Sequence, residues 1–271
     1  MTQQDTHDAV RERYAAAARA SLDTTGGGCC DTATDPITIG LYEGTDTPSD
    51  TALAASLGCG NPTALAELSP GEDVLDLGSG GGLDVLLSAR RVGPDGTAYG
   101  LDMTDEMLEL ARRNQAEAGI DNAQFLKGTI EQVPMANASV DVIISNCVIN
   151  LSPDKDAVLA EAHRVLRPGG RFAVSDIVLL REIPDALRGI VGLWTGCVSG
   201  ALLDTEYLAK LADAGFTGAG VEVTRTFDRD ELHRMSDMVG DHVPEGWTLE
   251  GIIDALDGAF ASAFVRAHKE N

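Results

Sequence analysis

A chain of 271 residues, 44% of them hydrophobic, is long enough to bury a sizeable core as one large domain or one and a half. Its 43 acidic residues exceed its 20 basic residues and give a formal net charge of −23, which repels nucleic acid and anionic membranes. No stretch approaches the roughly 18 apolar residues of a membrane span. The N-terminus MTQQDTHDAVRERY has no apolar signal segment, so we expect a cytoplasmic protein without a nucleic-acid or membrane partner.

The secondary structure is predicted in chain order from hydrophobic periodicity and turn residues. Residues 5–22 are predicted to be helical, and the chain from there to about Ser69 irregular or weakly helical, including the loop TTGGGCCDTATD. Strands and helices then alternate in the order DVLDL, LDVLLSARR, TAYGLD, DEMLELARRNQAEAG, AQFLKG, VDVIIS, DAVLAEAHRVL and RFAVSDIV. After Leu180 the patterns indicate a helix at EYLAKLADAGF, a strand at AGVEVTRTF and a closing helix at TLEGIIDALDGAFASAFVRA.

This alternation predicts an α/β fold in which βαβ units build a doubly wound, mostly parallel, Rossmann-like sheet. We expect the sheet core over residues 70–180. Residues 1–69 would form an N-terminal helix with cysteine-bearing loops. Residues 181–271 would form a smaller C-terminal α+β region that covers the ligand crevice as a lid.

A glycine-rich turn, DLGSGGGLD, follows the first predicted strand and opens the next helix. Gly78, Ser79, Gly80 and Gly82 let the backbone turn sharply and approach a ligand at a helix N-terminus. The dinucleotide fingerprint requires a further glycine at position 83, which is leucine, so an NAD enzyme is disfavoured. A loop of this form after a strand that ends in aspartate resembles that of S-adenosylmethionine methyltransferases.

Side chains at the other strand ends fit the same cofactor. Asp76 is expected to meet its amino-acid end, and Asp102 to accept hydrogen bonds from both ribose hydroxyls. Met103 would lie against adenine, and the segment KGTIEQVP offers three further contacts to the base, Thr129, Ile130 and Glu131. Asn146 is predicted to contact the cofactor or the turn, or to cap the loop. The alternative is a doubly wound domain whose acidic strand ends are unrelated to any cofactor.

The five cysteines stand at positions 29, 30, 59, 147 and 197. An odd, widely spaced set is not a disulfide framework in a reducing compartment, and no pair of cysteines or histidines has the spacing of a structural zinc site. A lone buried cysteine is more often a packing residue than a ligand, and both Cys147 and Cys197 admit that interpretation. Cys59 lies between two glycines, and Cys29 and Cys30 follow three, which is harder to reconcile with a core.

Four segments, LGCGNPTALAEL, LDLGSGGGLDVLLSARRVGP, SNCVINLSPDK and GCVSGAL, resemble the arsenite methyltransferase family. The resemblance runs from about residue 8 to at least residue 240. It implies methyl transfer from S-adenosylmethionine to arsenite and to methylarsenite. It also implies that Cys30 or Cys29 forms a disulfide with Cys59 during turnover, and that thioredoxin or a small thiol then reduces this disulfide.

The chemistry of the predicted crevice fits this resemblance. Three thiolates, from Cys59, Cys147 and Cys197, can surround a soft, pyramidal trivalent arsenic. The bound arsenic keeps a lone pair that can attack a methyl carbon, so the site needs orientation and desolvation rather than a base. Trp194 and Tyr207 can wall the acceptor pocket, although aromatic residues on a helix face fit a core better.

We therefore expect an arsenite methyltransferase whose cofactor is S-adenosylmethionine. Two alternatives remain. In the first, the enzyme methylates oxygen, nitrogen or carbon of an organic small molecule and its cysteines are incidental. In the second, the protein binds a soft metalloid through its thiols and does not turn over.

Overall fold

The computed structural model describes residues 3–23, 60, 66–188, 198, 200–235 and 243–271. Five residues discussed above, Cys29, Cys30, Cys59, Trp194 and Cys197, lie outside the described residues. The predictions made for their side chains therefore stay predictions.

The described strands form one mixed sheet. They are β1 (Val74–Leu77), β2 (Ala98–Asp102), β3 (Ala123–Lys127), β4 (Val140–Asn146), β5 (Leu166–Leu179), β6 (Leu202–Leu203), β7 (Phe216–Thr226) and β8 (Phe260–Lys269). Their order is β3-β2-β1-β4-β5-β8-β7, with the short β6 paired to β5. The first six strands are parallel, and β8 runs antiparallel to both of its neighbours. The predicted doubly wound, mostly parallel α/β fold is confirmed.

Helices cover the sheet and its ends. They are α1 (Gln3–Asp23), α2 (Leu83–Val92), α3 (Asp105–Ala118), α4 (Lys155–Val165), α5 (Asp185–Arg188), α6 (Asp204–Asp213), α7 (Arg229–Arg234) and α8 (Leu249–Leu256), with a 3-10 turn at Ile149–Leu151. Over the part of the chain that the structure describes, no helix combines the length and the apolar character needed to cross a membrane.

Side-chain alternation along the central strands gives the sheet two buried faces. Leu75 and Leu77 of β1 belong to the hydrophobic cluster that also holds residues of α4 and α6. Val74 belongs to a separate cluster with Val92 of α2. The sheet therefore lies between helices, as its near-continuous apolar strands predict.

The predicted closing helix is wrong in its second half. The helix α8 ends at Leu256, Gly258 takes a left-handed φ of +61°, and the chain continues as β8. The alanines of this segment favour a helix, but the strand inserts between β5 and β7 and bonds to both. Tertiary pairing thus overrides local propensity. Residues 181–271 contribute three strands to the common sheet, and the boundaries at 69 and 180 stay predictions.

The chain leaves β1 in one direction towards β2 and β3, and the other strands lie on the opposite side, next to β4. In an open α/β sheet this change of direction leaves a crevice outside the carboxyl ends of the two central strands. The glycine-rich turn after β1 and Cys147 after β4 both lie at this crevice.

Candidate active site

Main-chain hydrogen bonds hold the glycine loop between β1 and α2. The N–H groups of Gly78 and Ser79 donate to the carbonyl of Leu101 on β2, at 2.8 and 2.9 Å. Gly78 has a φ of +74°, and a Cβ there would lie 2.4 Å from a methyl group of Val148. Only glycine satisfies both constraints, and it lets the loop pack closely against Val148 at the crevice.

A buried asparagine of α3 holds this loop from behind. The side chain of Asn114 is fully buried, and its Nδ2 donates to the carbonyl of Gly81 at 2.8 Å. Sequence analysis did not single out this residue, although helical spacing places it on the same face as Met107 and Leu110. A polar residue on an apolar helix face requires a buried partner, and that signal identifies Asn114.

Asp102, at the end of β2, fastens the loop to the next strand. Its carboxylate accepts hydrogen bonds from the N–H of Thr104 at 2.8 Å and from the N–H of Gly80 at 3.0 Å. Burial raises the pKa of this carboxyl, and the hydrogen bonds it accepts act in the opposite direction. Its predicted contact with ribose stays a prediction.

Three buried carboxylates surround the loop. Asp76 lies within β1, Asp84 lies in the first turn of α2, and Asp102 is the last residue of β2. Burial and the negative charges of Asp84 and Asp102 raise the pKa of Asp76 well above its usual value. A cation at this place would relieve both effects, because burying like charges together is costly.

A cleft opens beside the loop. Seven residues predicted to bind the cofactor line it: Gly78, Gly80, Asp102, Met103, Thr129, Ile130 and Glu131. Four others do not: Asp76, Ser79, Gly82 and Asn146. We call this space the cofactor cleft.

One face of α1 closes the cofactor cleft, which sequence analysis missed. His7, Val10 and Tyr14 line the cleft, and their spacing of three and four residues is the helical signal that identifies them. The Nε2 of His7 lies 3.4 Å from Oε1 of Glu131, and this carboxylate also accepts a hydrogen bond from the hydroxyl of Ser152. The N-terminal helix is therefore part of the cleft wall.

Cys147 follows β4 in a backbone conformation that is uncommon outside glycine. Its φ is +60°, and its N–H donates to the carbonyl of Ser175 on β5 at 2.8 Å. The side chain is only 3% exposed and packs in a cluster that includes Leu151 and Val198. Its sulfur is disulfide-bonded, and the partner lies outside the described residues. Because a disulfide sulfur is not a thiolate, this bond must be reduced before Cys147 can hold a metalloid.

Two described residues next to the other cysteines in the sequence lie near Cys147. The backbone of Gly60, which follows Cys59, exchanges two hydrogen bonds with the side chain of Asn146. Val198, which follows Cys197, shares the hydrophobic cluster of Cys147. We call Gly60, Asn146, Cys147, Ser175 and Val198 the thiol region.

Comparison with known proteins places this site in a family. Residues 68–235 match the methyltransferase domain family. Arsenite methyltransferases of Halobacterium salinarum and Aquipseudomonas alcaligenes are 45% and 40% identical over 79% and 75% of this chain, which spans only 58% and 60% of their lengths. CrArsM, an arsenic (III) S-adenosylmethionine methyltransferase from Chlamydomonas reinhardtii, has a crystal structure with 34% identity and a TM-score of 0.62, covering 79% of this chain and 68% of that chain.

This chain belongs to the arsenite methyltransferase family. Membership in this family makes S-adenosylmethionine the cofactor, and two observations on buried residues beside the cofactor cleft fit that molecule. The buried carboxylates of Asp76 and Asp84 are suited to an ammonium group. The hydroxyl oxygen of Ser79 is buried without a hydrogen-bond partner among the described residues, so it is available to a polar ligand.

Tyr207, which sequence analysis named with Trp194 as a possible wall of the acceptor pocket, belongs to the core. Tyr207 of α6 is fully buried in the cluster of α4 and β5, away from the cofactor cleft lining. Its hydroxyl lies 3.5 Å from Oδ2 of Asp176 on β5. Burial raises the pKa of Asp176 to about 7. Tyr207 is therefore a packing residue with a polar partner.

Proposed function

We propose that this chain transfers methyl groups from S-adenosylmethionine to trivalent arsenic held by Cys59, Cys147 and Cys197, producing methylated and dimethylated arsenicals. The observation that carries the proposal is the position of the thiol region at the end of β4. Gly60, which follows Cys59, bonds to Asn146 there, and Val198, which follows Cys197, shares a hydrophobic cluster with Cys147. The two relatives are arsenite methyltransferases, and the proposal assigns their activity to a chain that spans only part of their length.

On the donor side, this chain's residues bind and orient the cofactor. Asp76 and Asp84 would hold the ammonium of its methionine end, and Asp102 the ribose hydroxyls. Met103, with Thr129, Ile130 and Glu131, would contact the base. S-adenosylmethionine supplies a methyl group on a positively charged sulfur. A cleft closed by α1 keeps water from that group.

On the acceptor side, three thiols displace the hydroxyls of arsenite and release water. The lone pair of the bound arsenic forms the new As–C bond as the C–S bond breaks, and arsenic becomes formally pentavalent. A further thiol, from Cys30 or Cys29, then attacks a sulfur bound to arsenic and loses its proton. The S–S bond forms, the As–S bond breaks, and its electron pair returns arsenic to the trivalent state.

The new disulfide must be reduced before the next turnover. We propose a dithiol protein of the thioredoxin type or a small thiol as the reductant. A reducing cytoplasm supplies both, which agrees with the predicted location.

A methyl-labelled donor tests the proposed function. The full chain, reduced beforehand, is incubated with labelled S-adenosylmethionine and arsenite, methylarsenite or a panel of organic acceptors. We expect label in methylated and dimethylated arsenic. Label only in organic products would support a small-molecule methyltransferase, and arsenite binding without transfer would support a metalloid-binding protein; either result contradicts the proposal.

A further inference from the structure

The side chain of Asn146 connects the cofactor cleft to the thiol region. Its Oδ1 accepts from the N–H of Gly60 at 3.1 Å, and its Nδ2 donates to the carbonyl of Gly60 at 2.8 Å. The same Nδ2 lies 3.3 Å from Oδ2 of Asp84. One amide therefore bonds to Gly60, which follows Cys59, and to an acidic residue of α2, and the next residue in the chain is Cys147.

The contact with Gly60 has little freedom. A Cβ at position 60 would lie 1.8 Å from the hydroxyl oxygen of Ser175, so only glycine can approach β5 this closely. The carbonyl of Ser175 accepts the N–H of Cys147. The backbone beside Cys59 and the backbone of Cys147 are thus packed against the same residue, and Asn146 sets their relative position.

The contact with Asp84 leads to the donor site. Asp84 is buried in the first turn of α2, directly after the glycine loop. Its charge acts on Asp76, the carboxyl proposed to receive the cofactor's ammonium. A cation bound between these carboxylates holds Asp84 in a fixed orientation, which favours its hydrogen bond from Asn146.

We propose that Asn146 is a positioning residue that couples occupancy of the donor site to arsenic binding by the thiols. The inference rests on the proposed function. With the donor site filled, Asn146 is held by Asp84 and keeps the Gly60 segment in place, so the thiols meet arsenic in a preformed arrangement. Linkage requires the reverse as well, because arsenic bound first must tighten donor binding by the same factor.

The test measures this coupling by titration calorimetry. The full chain is reduced with a phosphine, and arsenite is titrated with and without S-adenosylhomocysteine, which fills the donor site without a methyl group. We expect arsenite to bind roughly tenfold more tightly when the donor site is filled, within the usual range for coupled sites. In Asn146→Ala the two dissociation constants should agree within about twofold, because the link between the sites is gone.

Asn122→Ala is the matched control. Asn122 also bonds through its amide to backbone carbonyls, those of Ala89, Gly93 and Gly96, but it lies outside the cofactor cleft and the thiol region. Its replacement should lower the melting temperature and leave the roughly tenfold ratio unchanged. Loss of stability alone therefore does not imitate loss of coupling.

Two results overturn the inference: a wild-type ratio near one, or a ratio that Asn146→Ala retains. If Asn146→Ala yields no folded protein, Asn146→Ser is measured by the same criterion. Labelled-methyl transfer by the wild type is recorded in parallel. A wild type that methylates arsenite without coupling overturns only the role of Asn146, whereas one that neither binds nor methylates arsenite overturns the proposed function with it.

Discussion

The cofactor cleft and the thiol region meet at the ends of β1 and β4, but they are built differently. The glycine loop of the cleft is held by main-chain hydrogen bonds within one βαβ unit and by Asp102 of the adjacent strand. The thiol region joins residues far apart in sequence, such as Gly60, Cys147 and Val198, and one side chain, Asn146, makes the described hydrogen bonds between two of its segments. A local, preformed site suits a donor used in every turnover. A site assembled from separate segments suits thiols that must exchange partners.

A substitution at Cys147 is expected to have the largest effect, because it should disable the thiol region and leave the cofactor cleft intact. Cys147→Ser should remove methylation of both arsenite and methylarsenite, a loss of about 1,000-fold or more, because a hydroxyl does not replace a soft thiolate ligand. Without arsenite, binding of S-adenosylhomocysteine should stay within about twofold, since Cys147 does not line the cofactor cleft. Product analysis and calorimetry measure the two effects. Near-normal methylation by this variant would show that Cys147 does not hold arsenic.

Asp102→Asn tests the other region. The variant loses the charge that would bind the ribose hydroxyls, so the dissociation constant of S-adenosylhomocysteine should rise roughly 10- to 100-fold, as expected for a hydrogen bond to a charged group. Arsenite affinity in the absence of donor should be nearly unchanged. The matched control is Asp105→Asn, which alters an exposed carboxylate paired with Lys127 at 2.6 Å and should leave donor affinity intact. Equal donor affinity in both variants would remove Asp102 from the cofactor site.

The same contrast explains what could be predicted from the sequence. The glycine loop and Asp102 are local: a buried run, a turn and a helix stand next to one another in the chain, and the geometry follows from short-range rules. The role of Asn146 in holding Gly60 is not local, because the two residues are 86 positions apart in the chain. His7 and Asn114 are polar residues on the inward faces of their helices, a pattern that is visible in the sequence. The groups that they contact are visible only in the fold.

The C-terminal segment shows the limit of local reasoning on the fold itself. The alanine-containing segment FASAF favours a helix by local propensity, yet it lies in the sheet between β5 and β7 as part of β8. The deciding interactions include pairings with β5, which lies up to 97 positions earlier in the chain, as in the pair Arg171 and His268. The predicted site shows the same division: its cofactor half is made within one sequence motif, whereas its thiol half is made between motifs.

A smaller effect on the rate of methylation should distinguish the cysteines by the substrate for which each is needed. Cys30→Ser and Cys59→Ser should slow methylation of arsenite about tenfold more than methylation of methylarsenite, because methylarsenite has one arsenic bond already filled and needs fewer thiols. Initial rates on the two substrates, with Cys29→Ser measured beside them, give the comparison. Equal losses on both substrates would contradict this division of labour, and a larger defect in Cys29→Ser would make Cys29 the redox partner.

The smallest expected effect is on the thermal stability of the protein, through a buried residue of β5 next to the thiol region. Asp176 lies next to Ser175 on β5, fully buried, and burial raises its pKa to about 7, above an unfolded value of about 3.9. The folded protein thus holds a proton that the unfolded chain releases, so the stability from protonated Asp176 is complete below about pH 4 and is lost as pH rises to about 7. Asp176→Asn, which resembles the protonated form, should therefore raise the melting temperature by about 2–5 °C at pH 8 and by much less at pH 5. Asp156→Asn alters an exposed carboxylate paired with Lys210 and should give no such pH-dependent gain. A gain for Asp176→Asn that is equal at both pH values would show that Asp176 does not titrate between them.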